Sequence, residues 1–290
     1  MISGGAMVAG VVGSPVIHSL SPLIHNAWIS ASGLDAAYVP FSPGESGFEA
    51  LVSGLRGGAI RGLNVTIPFK ETALALADEA DPLARLAGAA NLLLFQPDGR
   101  IIARNTDGPG LVGAIEAQAP VFDLTAGPTV ILGAGGAARG AAAALVLAGA
   151  PQVWLVNRSL ERAVALAGDL GGNGPGKVSA EVSAWRYDQS AALLDQARLV
   201  VNATSLGLGG GPGPPVDLSR LGPGAVVMDM VYKPLETGLL ADARSRGLRT
   251  VDGLEMLIRQ AIPSFEAFFG IAPPRDVDVR GLALRSLGVG

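Results

Sequence analysis

The chain has no cysteine, only two histidines and only three lysines. Zero cysteine excludes a disulfide framework and a thiolate metal site, and it fits a cytoplasmic protein. Neither His18 nor His25 has a histidine or an acid at ligand spacing, so no metal is expected. Charge is scarce too: charged residues make up 16% of the chain, with 21 Lys plus Arg against 25 Asp plus Glu. A formal charge of −4 with no basic run argues against nucleic acid as a partner. No apolar run approaches the ~20 residues that a membrane helix needs, and the longest candidate, "AAAALVLAGA" at 141–150, is short and alanine-rich. No basic region precedes the first apolar stretch, so no signal peptide is expected. What the chain does have is apolar mass. Hydrophobic residues are 49% of 290, enough for a large core and, by length, for two domains.

Short apolar runs alternate with helical patterns throughout: "MVAGVV" (7–12), "AAYVPF" (36–41), "LNVTI" (63–67), "TVILG" (129–133), "VWLV" (153–156), "LVVNA" (199–203) and "AVVMDM" (225–230). Several are apolar at nearly every position, as parallel strands covered on both faces are. That rhythm predicts α/β architecture. In the first half, "NLLLFQPDGRIIARN" (91–105) carries two strand-like runs around Pro97-Asp98-Gly99 and predicts a hairpin, hence a mixed sheet. The domain boundary is placed near residue 108, where "DGPG" opens a connecting helix. "SLGLGGGPGPPVDLSRLGPG" (205–224) reads as a mobile loop, and "GGNGPGK" (171–177) as a surface turn.

"TVILGAGGAARGAAAALVLAGA" (129–150) sets Gly133, Gly135 and Ala138 at G-x-G-x-x-A spacing, directly after a strand and opening a helix. In that context the glycines allow a tight turn and leave the first helical N–H groups free for a pyrophosphate. The next strand ends at Asn157, where an NAD-binding domain usually carries an acid for the ribose 2′-hydroxyl. Here stand Asn157, Arg158 and Ser159, with Arg162 one turn on. Guanidinium groups suit a 2′-phosphate that a carboxylate would repel, so NADP is favoured over NAD.

Four stretches of the first half carry polar residues that pattern alone does not require. "HSLSPLIHN" (18–26) holds Ser19 and Ser21; Ser21-Pro22 also reads as a helix cap and first turn. In "GLNVTIPFK" (62–70) the alternate positions Val65, Ile67 and Phe69 read as a buried strand face, while Asn64, Thr66 and Lys70 are polar. Asn91 starts an apolar strand, and "RNTDGPG" sets Asp107 before a glycine turn. His25, within an apolar helix pattern, is expected to be packed and hydrogen-bonded. No Gly-x-Ser-x-Gly elbow supports hydrolase chemistry.

With these residues in place, the chain resembles shikimate dehydrogenases over nearly its whole length. The matching segments are "GSPVIHSLSPLIHN", "GLNVTIPFK", "GAANLLLF", "NTDGPG", "GAGGAARGA", "NRS", "NATSLGL", "DMVYKPLET" and "DGLEMLIRQA". The resemblance implies reduction of 3-dehydroshikimate to shikimate with NADPH, a step towards aromatic amino acids. It implies a three-layer α/β substrate domain with a mixed sheet (1–108, joined by 254–290) and a Rossmann-type, doubly wound NADP domain (109–253). Ser19 and Ser21 match hydroxyls that hold the substrate carboxylate, helped by Tyr232. Thr66, Asn91 and Gln260 match ligands of the ring hydroxyls, and Lys70 and Asp107 the catalytic pair. Gly133, Ala134, Gly135, Gly136 and Ala137 match the pyrophosphate site; Asn157, Arg158, Ser159 and Arg162 surround the adenosine phosphate; Met230 and Gly253 approach the nicotinamide. Asn64 matches the motif without an assigned role.

Departures from the family pattern are few: Leu92 where many relatives have threonine, Arg104 before "NTD", and Pro263, which is expected to kink or break the helix just after Gln260. The expected state is a monomer or homodimer acting on a small molecule, with neither nucleic acid nor membrane as partner. Two alternatives stay open: a quinate or dual-specificity dehydrogenase of the same family, and a non-catalytic nucleotide-binding regulator that kept the fold.

Overall fold

The computed structural model describes residues 2–58, 60–171 and 180–289; most of the turn read at 171–177 lies outside them. The chain divides into two compact units, Met1–Asp107 with Leu257–Gly290, and Gly108–Met256. Among the described residues no helix is long and apolar enough to cross a membrane.

The first unit is built on β1 (Met7–Val12), β2 (Ala36–Phe41), β3 (Ile60–Val65), β4 (Glu79–Ala80), β5 (Leu92–Phe95) and β6 (Ile101–Arg104), in the order β2-β1-β3-β5-β6-β4. β1 pairs in parallel with β2 and β3, while β5 runs antiparallel to β3 and β6, so the sheet is mixed and 91–105 forms the expected hairpin. Period-2 alternation sends the two faces of β3 to different cores. Leu63 and Val65 join a cluster with Phe48 and Val52 of α2 (Phe48–Gly54), Ala73 of α3 (Lys70–Ala75) and Ala84 of α4 (Pro82–Ala87). On the other face a Cβ at Gly62 would meet the ring of Phe268, and Asn64 bonds to Ser264. The unit is thus three-layered.

The helix over Gly62 and Asn64 belongs to the C-terminal segment, and α1 (Ser21–Ala31) packs on β1 and β2. His25 of α1 is fully buried, stacked on Tyr38 with centroids 4.1 Å apart and edge-on to Trp28 at 5.7 Å. It is packed as the sequence suggests but not hydrogen-bonded, because apolar rings enclose both its nitrogens. Burial pulls its pKa from 6.5 down to about 3. The folded pKa lies below the unfolded one, so the neutral ring contributes full stability above pH 6.5 and that contribution is lost as pH falls towards 3. At about 1.4 kcal/mol per pH unit, unfolding stability should fall by about 2 kcal/mol from pH 7 to 5 on account of His25. Urea unfolding of wild type and His25→Phe at both values checks this, since the variant should lose that part of the pH slope.

The second unit holds β7 (Thr129–Leu132), β8 (Gln152–Asn157), β9 (Glu181–Arg186), β10 (Leu199–Asn202), β11 (Val226–Asp229) and β12 (Arg249–Val251), in the order β12-β11-β10-β7-β8-β9 with every pairing parallel. This is the doubly wound dinucleotide-binding order, whose switch point falls between β7 and β10. Its helices are α5 (Asp107–Gln118), α6 (Gly136–Leu147), α7 (Leu160–Gly171), α8 (Ser190–Leu194) and α9 (Gly238–Ser245). α10 (Gly253–Phe269) carries the chain back to the first unit, which α11 (Val279–Leu287) completes.

α10 runs through Pro263 as one helix, so of the kink or break expected there the break does not occur. Pro263 does remove one N–H, but Leu254, Ala261, Phe265 and Phe268 are buried along the helix, and Ser264 Oγ–H donates to the Gln260 carbonyl at 3.1 Å. Tertiary burial of that face outweighs the roughly 3 kcal/mol that an interior proline costs.

Candidate active site

The strand reading of 62–70 holds only as far as Val65. There the ladder to β1 stops at Val12, and the chain turns through 66–69 with Phe69 N–H bonded to the Thr66 carbonyl at 3.0 Å and a cis Ile67–Pro68 peptide. Alternation therefore ceases: Val65 and Phe69 are buried, but Ile67 is 69% exposed. Leaving the sheet sets Lys70 on the first residue of α3 and directs its side chain out of the core. Its Nζ lies 2.6 Å from Oδ2 of Asp107, the first residue of α5, with side-chain exposures of 31% and 25%. A carboxylate is well placed at a helix N-terminus. A part-exposed ion pair adds little to stability, in general ~0–1 kcal/mol.

The other oxygen of Asp107 is occupied as well. Asn91 Nδ2 donates to Asp107 Oδ1 at 2.9 Å and to Thr106 Oγ1 at 2.9 Å, and Gln260 Oε1 stands 3.4 Å away. Asn91 Oδ1 accepts from Thr106 N–H at 2.6 Å. Gln260 Nε2 is fastened to its own helix through the Leu257 carbonyl at 2.8 Å. Lys70, Asp107, Asn91 and Gln260, distant in sequence, thus form one hydrogen-bonded group, and Asn91 and Gln260 are buried within it. Asn64 proves to be internal. Its Oδ1 accepts from Tyr38 Oη at 2.8 Å, and its Nδ2 donates to Ser264 Oγ at 2.8 Å and the Asn91 carbonyl at 3.2 Å. The polar parity of β3 is therefore an anchor to α10.

At the entry to α1 the cap falls one residue before the one that the sequence suggests. Leu20, not Ser21, is the cap residue, and Ser19 Oγ accepts from Ser21 N–H at 3.3 Å. Ser21 is buried against Tyr38, whose hydroxyl burial pushes well above its ordinary pKa while Ser21 pulls it back. Thr66, half-buried, offers a hydroxyl with no hydrogen bond to a described residue.

In the second unit Gly133 follows β7 with φ +121°, and a Cβ there would stand 3.2 Å from the Ala203 carbonyl and from Thr204 Cγ2, which follow β10. Only glycine suits this turn at the switch point. Gly135, Gly136 and Ala137 are exposed at the start of α6, and a Cβ at either glycine would meet open space. Packing does not require those glycines, whereas a group lying against the free N–H ends does. Ala134 is half-buried beside them, and Ala138 is buried under the helix. Beyond β8, Asn157 Nδ2 holds the Ser159 carbonyl at 3.0 Å and Ser159 Oγ bonds to Glu161 at 2.9 Å. Arg158 and Arg162 are exposed and form no ion pair with a described residue, so the set fits a nucleotide bearing a 2′-phosphate.

Met230 and Gly253 meet: a Cβ on Gly253 would lie 2.5 Å from the Met230 carbonyl. Tyr232 belongs to this unit and Ser19 and Ser21 to the other; burial raises its hydroxyl pKa. The loop read as mobile at 205–224 is tied to the same segment, with Gly209 N–H donating to the Lys233 carbonyl at 2.9 Å.

Several residues here carried no assigned role in the sequence. Asp229, buried at the end of β11, accepts from Asn202 Nδ2 at 2.9 Å, Val231 N–H at 3.0 Å and Thr237 Oγ1 at 2.6 Å, and burial raises its pKa against these three donors. Asn202 Oδ1 in turn accepts from Thr204 N–H at 3.1 Å. Together they brace the loops after β10 and β11. In the first unit Thr106, Ser264 and Tyr38 join the Asn91 group. The available signal was a polar residue inside an otherwise apolar strand or helix.

Three family models match the chain. These are the shikimate dehydrogenase substrate binding domain at residues 11–93, the shikimate / quinate 5-dehydrogenase domain at 116–207 and the shikimate 5'-dehydrogenase C-terminal domain at 253–279. A shikimate dehydrogenase (NADP(+)) of Caulobacter vibrioides is 62% identical over 287 residues, 99% of this chain and 98% of that protein. The crystal structure of shikimate 5-dehydrogenase from Thermus thermophilus in complex with NADP(H) and shikimate is similar with a TM-score of 0.82 and 34% identity, covering 97% of this chain and 99% of that one. The quinate dehydrogenase of Corynebacterium glutamicum in complex with NAD is similar with a TM-score of 0.85 and 31% identity, covering 98% and 99%.

Proposed function

Because the chain belongs to the shikimate dehydrogenase family, we propose that it catalyses the reversible reduction of 3-dehydroshikimate to shikimate with NADPH, with Lys70 as proton donor and Asp107 its partner. The observation that carries the residue assignment is the 2.6 Å contact between Lys70 Nζ and Asp107, open to solvent on one side. Bound NADPH supplies the hydride. As hydride reaches the carbonyl carbon, negative charge grows on oxygen, and an ammonium within hydrogen-bond reach both stabilises that charge and delivers the proton. Asp107 holds the amine, and Asn91 holds Asp107. In the reverse direction Lys70 takes the proton from the substrate hydroxyl.

Around that pair the first unit takes the substrate. Thr66, with its unengaged hydroxyl, faces the ring hydroxyls with Asn91 and Gln260, and Ser19 and Ser21 take the carboxylate. The second unit takes the cofactor. Gly133, Ala134, Gly135, Gly136 and Ala137 receive the pyrophosphate, Asn157, Arg158, Ser159 and Arg162 the adenosine phosphate, and Met230 and Gly253 the nicotinamide. The protein acts in the cytoplasm.

Quinate differs from shikimate at the ring, so the choice between them rests on few contacts. Initial rates with shikimate and with quinate, each with NADP+ and with NAD+, test the reading. Shikimate with NADP+ should give a kcat/KM at least ~10-fold above every other pair, the scale of one hydrogen bond to a charged group. Equal values with quinate or with NAD+ would contradict it.

A further inference from the structure

Resting on the reading of Lys70 and Asp107 given above, we infer that Thr106 is a positioning residue that sets the pair's geometry through Asn91. Thr106 is 4% exposed and directly precedes Asp107 in the chain, but its hydroxyl bonds to neither Asp107 nor Lys70, so that hydroxyl acts on the pair through Asn91. It holds Asn91 at two points: its N–H donates to Asn91 Oδ1 at 2.6 Å, and its hydroxyl oxygen accepts from Asn91 Nδ2 at 2.9 Å. Two-point contact settles which way the amide faces, because a flipped Asn91 would set its oxygen against Asp107 and its NH₂ against a backbone N–H. In the observed orientation Nδ2 reaches Asp107 Oδ1 at 2.9 Å and leaves Oδ2 to Lys70.

The hydroxyl's own hydrogen also has a place to go. Ser264 donates its single O–H to the Gln260 carbonyl at 3.1 Å, so its oxygen is an acceptor for Asn64 Nδ2 at 2.8 Å and for Thr106 Oγ1 at 3.2 Å. Asn91 Oδ1, also 3.2 Å away, already accepts the Thr106 N–H at 2.6 Å, and Gln260 Oε1 stands at 3.4 Å, so the hydrogen goes to Ser264 and Thr106 accepts from Asn91 without conflict. Ser264, Thr106, Asn91, Asp107 and Lys70 are then linked in series, with Asn91 Nδ2 donating both to Thr106 and to Asp107, which also accepts from Lys70, and the series is fixed at its far end to α10. Deleting the Thr106 hydroxyl leaves one Asn91 N–H with only Gln260 Oε1, 3.4 Å away, as an alternative. The amide turns towards it, Asp107 loses a donor, and the amine of Lys70 loses its fixed position.

The test is the steady-state turnover of Thr106→Val and Thr106→Ser in the full chain, each alone and combined with Lys70→Ala. Thr106→Val should lower kcat roughly three- to tenfold, the span of one buried hydrogen bond, with a rise in KM for shikimate because Asn91 also faces the ring, while Thr106→Ser restores both. In the Lys70→Ala background Thr106→Val should cost nothing further in kcat, since the group it positions is gone. A purely structural threonine would lower the melting temperature and leave kcat of the folded enzyme intact; that result, or an equal loss in both backgrounds, overturns the inference. A Lys70→Ala enzyme of normal turnover overturns the reading of Lys70 and the route through it, whereas a slow Lys70→Ala with an unaffected Thr106→Val overturns the inference alone. If Thr106→Val does not fold, Ser264→Ala, which takes away the acceptor of Thr106, should lower kcat with the same dependence on Lys70, and an unchanged kcat overturns the inference.

Discussion

Replacing Lys70 with alanine should lower the turnover number at least ~10²-fold, the usual span of general acid–base catalysis, with little change in the Michaelis constant for shikimate. The asymmetry follows from when the interaction is made. Lys70 is already engaged with Asp107 at 2.6 Å, and its added contribution arises as charge develops on the substrate oxygen. Loss of a contact made only in the transition state appears in kcat and not in KM. The variant should also fold. Lys70 opens a short helix, its side chain is about a third exposed, and a pair so exposed contributes ~1 kcal/mol at most to stability. Activity measured against a melting curve separates the two effects, and a Lys70→Ala enzyme with near-normal turnover would refute the assignment.

The second large effect concerns the cofactor. Removing both guanidinium groups, Arg158→Ala with Arg162→Ala, should raise KM for NADPH roughly 10- to 100-fold, the scale of one or two hydrogen bonds to a charged group. KM for NADH should change by less than about threefold, because NADH offers no 2′-phosphate to lose. Both arginines are exposed and unengaged by described carboxylates, so their removal leaves no buried acid unpaired and the fold is not at stake. Raising ionic strength should weaken NADPH binding in the wild type and do so much less in the double variant. Equal rises in KM for the two cofactors would mean that the arginines act on the shared part of the nucleotide.

Much of this was legible in the sequence because local pattern and fold agree there. Apolar runs such as "TVILG" and "LVVNA" became β7 and β10 of a parallel sheet, since strands covered on both faces must be apolar throughout. The G-x-G-x-x-A spacing lies at the switch point as its strand-turn-helix context requires. The pairing of Lys70 with Asp107 was readable only through the family resemblance, as 37 residues separate them and no periodicity links a strand end to a helix start. The misreadings share a cause, in that tertiary burial decided what local rules left open. Ile67 was assigned to a buried face by a period that ends two residues earlier, where the β1 ladder ends. Pro263 sits inside an unbroken helix whose apolar face is covered. Asn64 carried no role and Thr106 was not singled out, because the partner they share, Ser264, lies more than a hundred residues away from each. β9, with its mixed "EVSAWR" composition and half-buried residues, offers no apolar run to find.

The most direct measurement follows NADPH absorbance after 3-dehydroshikimate is added to purified protein, with Lys70→Ala alongside. The wild type should consume NADPH only when the ketone is present, and the variant at least ~10²-fold more slowly at saturating substrate. No consumption by the wild type, or equal consumption by both proteins, would contradict the mechanism.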